Sequence, residues 1–134
     1  MGVLSDIRTG VASTLASADG AVYPRPPGAR NENPSIVVMF DNLEPLAIGG
    51  QGISGRIRLS VAFATADQDE AFSVLDTYLD PAGSNSIHLL LDNDQTLGSS
   101  VDSSGWAGSE NIRAEEEGDA VMARAEILVD FIKG

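Results

Sequence analysis

A chain of 134 residues, 43% hydrophobic and 21% charged, suffices for one cored domain and is too apolar for a disordered segment. Eight Lys and Arg stand against 20 Asp and Glu, and the resulting net charge of −12 repels phosphate backbones and anionic membrane surfaces, which excludes groove reading of DNA. The absence of Cys excludes disulfides and thiolate chemistry, and no apolar run approaches the roughly 20 residues of a membrane-spanning helix.

Leu4, Ile7, Val11, Leu15 and Ala18 recur at steps of three and four, which predicts an amphipathic helix ending near Asp19-Gly20. Its other face (Ser13, Thr14, Ser17) is small and hydroxylic, so another chain or a loop is expected to cover it. Residues 21–34 form a Pro-rich arm with four prolines, in which Ala21 to Tyr23 can make only a short edge strand. Ser35 to Phe40 reads as a buried strand closed by Asp41-Asn42, and residues 43–55 as a Gly-rich loop.

Ile57, Leu59, Val61 and Phe63 alternate with Arg56, Arg58, Ser60 and Ala62, the period of a strand with one apolar face. Asp67 and Glu70 have capping-box spacing ahead of Ala71, Phe72, Leu75, Tyr78 and Leu79, which predicts a helix over about 68–79 stopped by Asp80-Pro81. Ser84 or Ser86 can cap a short third helix carrying Ile87, Leu90 and Leu91, with Asn93 and Gly98 as exits. Val101 to Gly108 is a glycine and serine stretch around Trp106. A closing hairpin is predicted from about Asn111 to Glu115, through Glu117-Gly118, into a strand from Val121 to Phe131.

This order implies a single α+β domain: a mostly antiparallel or mixed sheet of about four to five strands, with the N-terminal helix and two central helices on one face. The even positions of the last strand (Met122, Arg124, Glu126, Leu128, Asp130, Ile132) mix charge with large apolar groups, which suits a homomeric contact.

Candidate chemistry is sparse. His88 is the single imidazole, and without Cys it cannot assemble a His-rich metal site. Gly52-Ile53-Ser54-Gly55 lacks the spacing of a nucleophile elbow, and a sequence with one Lys, at 133, cannot hold a phosphate-cradling Gly-x-x-x-x-Gly-Lys loop. Read as a calcium loop, the segment from Asp92 has Leu97 where Gly is needed and Ser103 where Glu is needed. Asp67-Gln68-Asp69-Glu70 and Asp92-Asn93-Asp94 sit at helix boundaries, where acids serve as caps. Gly49-Gly50-Gln51 matches a release-factor tripeptide only in letters, since its flanks are apolar and the molecule is acidic. Glu115-Glu116-Glu117 reads as a solvated hairpin tip or, in a ring, as an acidic rim. No catalytic residue, cofactor or metal is expected.

The stretch from Leu75 to Gly98 resembles the tail terminator proteins of long-tailed bacteriophages, especially those of actinobacterial hosts. Leu75, Tyr78, Leu79, Asp80, Pro81 and Gly83 carry an L-x-x-Y-L-D-P-x-G phrase; Ser86, Ile87 and Leu91 carry the following short helix; Thr96, Leu97 and Gly98 carry a T-L-G step. The order of elements outside the phrase agrees, although Ser103 to Ile112 is more serine-rich and less aromatic than that pattern.

The resemblance implies a structural, non-enzymatic virion protein at the head-proximal end of the tail, assembled in the host cytoplasm. It would form a homo-oligomeric, hexameric ring that caps the major tail tube protein, stops its polymerisation and meets the head-tail connector, while DNA passes through the lumen without specific binding. Six chains of −12 carry −72, which suits such a lumen. Candidate interface residues are Tyr23, Arg25 and Arg30 in the arm, Gly49, Gly50 and Gln51 in the loop, and Arg56, Arg58, Arg124, Glu126 and Asp130 on the strands. Glu115, Glu116 and Glu117 are the candidate lumen or rim acids. The alternatives are another head-to-tail joining or minor tail protein and, from a different class, a small acidic ligand-binding or enzymatic α+β domain.

Overall fold

The computed structural model describes residues 2–16, 21–23, 35–45, 52–65, 67–83, 85–117 and 120–134, with residues 21–23, 68, 117 and 120 described by backbone alone. Its elements run α1 (Val3–Thr14), β1 (Ala21–Tyr23), β2 (Ser35–Pro45), β3 (Ile53–Thr65), α2 (Gln68–Leu79), α3 (Ile87–Asn93), β4 (Ser103–Glu117) and β5 (Ala120–Lys133). The five strands form one sheet in the order β1-β2-β3-β5-β4, antiparallel except for the parallel β1–β2 edge pair. The expected α+β class is borne out.

Period two in β3 and β5 sets the face that is buried. Register places Val61 against Ala125, Leu59 against Ile127 and Ile57 against Val129, with Ile36 and Val38 of β2 continuing the same rows. All of these are at most 1% exposed, and they meet Ile7, Val11 and Leu15 of the N-terminal segment, Ala71, Leu75 and Tyr78 of α2, and Ile87 and Leu91 of α3 in one cluster. The three helices therefore share one face of the sheet. Each fully buried Leu or Ile of this cluster stabilises the fold by about 1.5–3 kcal/mol relative to exposure.

Helix α2 follows the sequence expectation to the residue, with Asp67 as N-cap accepting from the Asp69 amide at 2.9 Å. The reciprocal arm of the expected capping box runs through Thr65 instead. Its hydroxyl lies 3.2 Å from Glu70 Oε2 and 3.4 Å from the Asp67 amide that it caps. Ser86 caps α3, and Ser84 lies outside the described residues: the Ser86 Oγ accepts from the Leu89 amide at 3.1 Å and donates to the Asp80 carbonyl at 2.5 Å.

Four expectations are corrected. Helix α1 stops at Thr14, with Leu15 as C-cap, although the apolar stripe continues; Leu15 reaches the core from the cap position. Asp41-Asn42 does not close β2, because a register shift between Phe40 and Asn42 absorbs Asp41 and pairing resumes to Pro45. Leu43–Pro45 and Ile53–Gly55 are consequently strand and not part of a Gly-rich loop. The first strand of the closing hairpin begins at Ser103 and not near Asn111, since Ser103 to Trp106 pair with Ile132 to Val129. The edge strand expected at Ala21–Tyr23 is present, in parallel register with Ser35–Val37.

A loop packs on α1 at Gly10 and Thr14, whereas Ser13 of the hydroxylic face is exposed and Ser17 lies outside the described residues. Gly10 packs so closely on the loop that a Cβ there would lie 2.0 Å from the Leu97 carbonyl oxygen. Leu97 (φ 49°), Gly98 (φ 68°) and Ser99 (φ 66°) form a left-handed run that brings this backbone in. Asp94 fixes the loop: its carboxylate accepts from the Gly98 amide at 3.0 Å, from Thr96 at 3.1 Å and from the Thr14 hydroxyl of α1 at 2.9 Å.

Candidate subunit and partner interface

The face of the sheet turned away from the helices carries the charged positions singled out in the sequence. Arg58 of β3 stands at its centre. Its Nη1 donates to Glu110 Oε1 of β4 at 2.5 Å and to Glu126 Oε2 of β5 at 2.7 Å, while its Nε reaches Asp41 Oδ1 of β2 at 3.2 Å. One guanidinium thus ties together all four antiparallel strands. These carboxylates, with Glu110 as the largest influence, raise the Arg58 pKa against the opposing cost of its burial. The Asn111 side-chain amide also donates to Glu126.

Arg56 pairs with Asp130 directly opposite on β5, at 2.8 and 3.3 Å, and that hydrogen bond raises the Arg56 pKa. The pair lies in a shallow cleft of about 430 Å³ whose other charged residues, Asp41 and Glu44, are acidic. Further along, Glu115 accepts from Arg113 at 2.7 Å and lies 3.3 Å from Arg124 Nε. The Arg113 hydrogen bond comes first among the causes that hold the Glu115 carboxyl below the ordinary range. Between the charges this face is not simply wet: Val37, Ala62 and Leu128 are buried on it.

Of the predicted interface residues, Arg56, Arg58, Arg124, Glu126 and Asp130 thus lie on one face, where Arg58 meets Glu126 and Arg56 meets Asp130. Arg25, Arg30, Gly49, Gly50 and Gln51 lie outside the described residues, and Tyr23 is described by backbone alone. Among the rim candidates, Glu115 is ion-paired on β4, Glu116 is exposed on β4, and the side chain of Glu117 lies outside the description.

Sequence reasoning missed Asp41, Glu110, Asn111 and Arg113. Asp41 and Asn111 sit at register shifts, between Phe40 and Asn42 and between Glu110 and Arg113, so period-two counting from either neighbouring strand misplaces them. The arginine preference of the sequence, seven of eight cations, was the available signal, because planar guanidinium can hold several carboxylates at once.

The lone His88 stacks on Trp106 with ring centroids 4.5 Å apart and has its Nε2 3.3 Å from Asp92. Among the described residues no group of three or more His, Asp or Glu could hold a metal ion, and no helix is long and apolar enough to cross a membrane. No protein-family model matches the chain, and no curated protein matches it.

Proposed function

We propose that this protein is a structural virion component of the tail-terminator kind, forming a hexameric ring on the head-proximal end of a phage tail tube. It halts tube growth there and presents a surface to the head connector. The observation that carries this reading is the phrase from Leu75 to Gly98. Its residues occupy conformationally demanding places: Leu75, Tyr78, Ile87, Leu91 and Leu97 are buried, Gly83 and Gly98 have positive φ, and Ser86 staples the α2–α3 connection.

The charge distribution supports the same reading. A net charge of −12 per chain removes the phosphate contacts that would hold passing DNA, with Glu115, Glu116 and Glu117 as the rim. The ladder of Arg56, Arg58, Arg124, Glu126 and Asp130 offers a neighbouring subunit oriented pairs that can exchange partners on assembly. The segments around Tyr23 to Arg30 and Gly49 to Gln51 are the further contacts assigned to the ring.

Co-sedimentation with purified tail-tube fragments, with light scattering of the bound species, tests this. The reading expects a particle near six times 14.0 kDa per tube end. Binding to purified head connector with none to tubes would instead identify another head-to-tail joining protein.

A further inference from the structure

We propose that the outer edge of β4, over Arg113–Glu117, takes up an extended, basic polypeptide segment of a partner protein as an added strand. The inference does not rest on the tail-terminator reading. Sheet order gives β4 a single strand neighbour, β5, among the described residues, so one row of its amide and carbonyl groups faces outward. The opposite edge of the sheet is guarded. There β1 is three residues long, and just past its last pair the Arg8 guanidinium donates to the Val38 carbonyl at 3.3 Å and lies 4.6 Å from the Phe40 ring centre.

Along β4 the pairing is interrupted between Trp106 and Gly108 and again between Glu110 and Arg113, with positive φ at Gly108 and Asn111. Such bulges twist an edge away from indiscriminate pairing. Beyond them Arg113–Glu117 run in unbroken register with Arg124–Ala120, which leaves five regular residues as the template. Ile112, 52% exposed, adds an apolar anchor where this stretch begins.

Charge selects the occupant. Ser103 to Ser109 are uncharged, whereas the rest of β4 carries four Glu, of which Glu110 pairs with Arg58 and Glu115 with Arg113 and Arg124, so that the exposed Glu116 and the neighbouring Glu117 carry the unbalanced negative charge. A second copy would bring the same excess of acids over Arg113 to the edge, in a molecule already at −12. An extended segment alternating Arg or Lys with apolar residues meets the strand's hydrogen-bonding edge and its acids together.

The test titrates the full chain into a labelled, capped peptide of alternating Arg and Val. A peptide of alternating Arg and Pro has equal length and charge but cannot lie as a strand. Fluorescence anisotropy should show the Arg–Val peptide binding at least about tenfold more tightly, and Glu116→Lys, at an exposed position, should weaken it several-fold. Amide exchange should slow across 113–117 when that peptide is bound. Equal binding of the two peptides, protection confined to other segments, or a concentration-dependent dimer that protects 113–117 without peptide would each overturn the proposal.

Discussion

At the scale of single residues, the structure places its polar constraints in two hubs. Arg58 holds Asp41, Glu110 and Glu126, and both it and Glu126 have side chains only 21% exposed. Charge-assisted bonds in such a setting exceed ordinary surface pairs, so Arg58→Met should cost about 2 kcal/mol, read as a lower urea midpoint. Asp94 is the second hub. Burial disfavours its charge, but the bonds from Thr14, Gly98 and Thr96 outweigh that and hold its carboxyl below the ordinary Asp range. A carboxyl whose folded pKa is depressed stabilises the fold above its unfolded pKa, and that contribution disappears as pH falls through the folded value. Asp94→Asn should therefore cost about 1 kcal/mol at neutral pH, and the gap to the parent chain should close on acidification through the carboxylate range. A gap that stays constant with pH would contradict this role.

At the scale of elements, α1 depends on close backbone approach. Gly10→Ala gains helix propensity of about 1 kcal/mol but sets a methyl 2.0 Å from the Leu97 carbonyl oxygen and 2.6 Å from Ser100 Oγ, so the expected outcome is a net loss near 2 kcal/mol, measured by thermal or urea unfolding. The periodic elements were legible in sequence for a physical reason. In β3, β5 and α2 a single buried face imposes one period over many residues, and Ile57 to Phe63 or Ala71 to Leu79 spell it out. What stayed hidden has no local signal. Ser103 to Trp106 are strand because β5 pairs with them, and in a Ser-Ser-Gly-Trp sequence the one strand-favouring residue, Trp106, is too little to announce that state. The register shifts at Asp41 and at Asn111-Ile112 likewise depend on neighbours, so the full set of carboxylates around Arg58 could not be read from spacing even though Arg58 and Glu126 could.

At the scale of the whole molecule, charge and shape set what the protein can meet. With −12 per chain, double-stranded DNA should show no mobility shift even at low salt of about 50 mM, where phosphate contacts are strongest; a salt-sensitive shift would contradict the open-lumen reading. In the proposed ring these charges would come together, so moderate salt should favour the ring over the free chain by screening subunit repulsion. The most direct measurement is tail-tube polymerisation from purified tube subunits, with this protein added at increasing ratios and tube ends imaged by electron microscopy. The account predicts shorter tubes, each bearing a ring at one end, with growth stopped at that end. Tubes of unchanged length with bare or randomly decorated ends would contradict it.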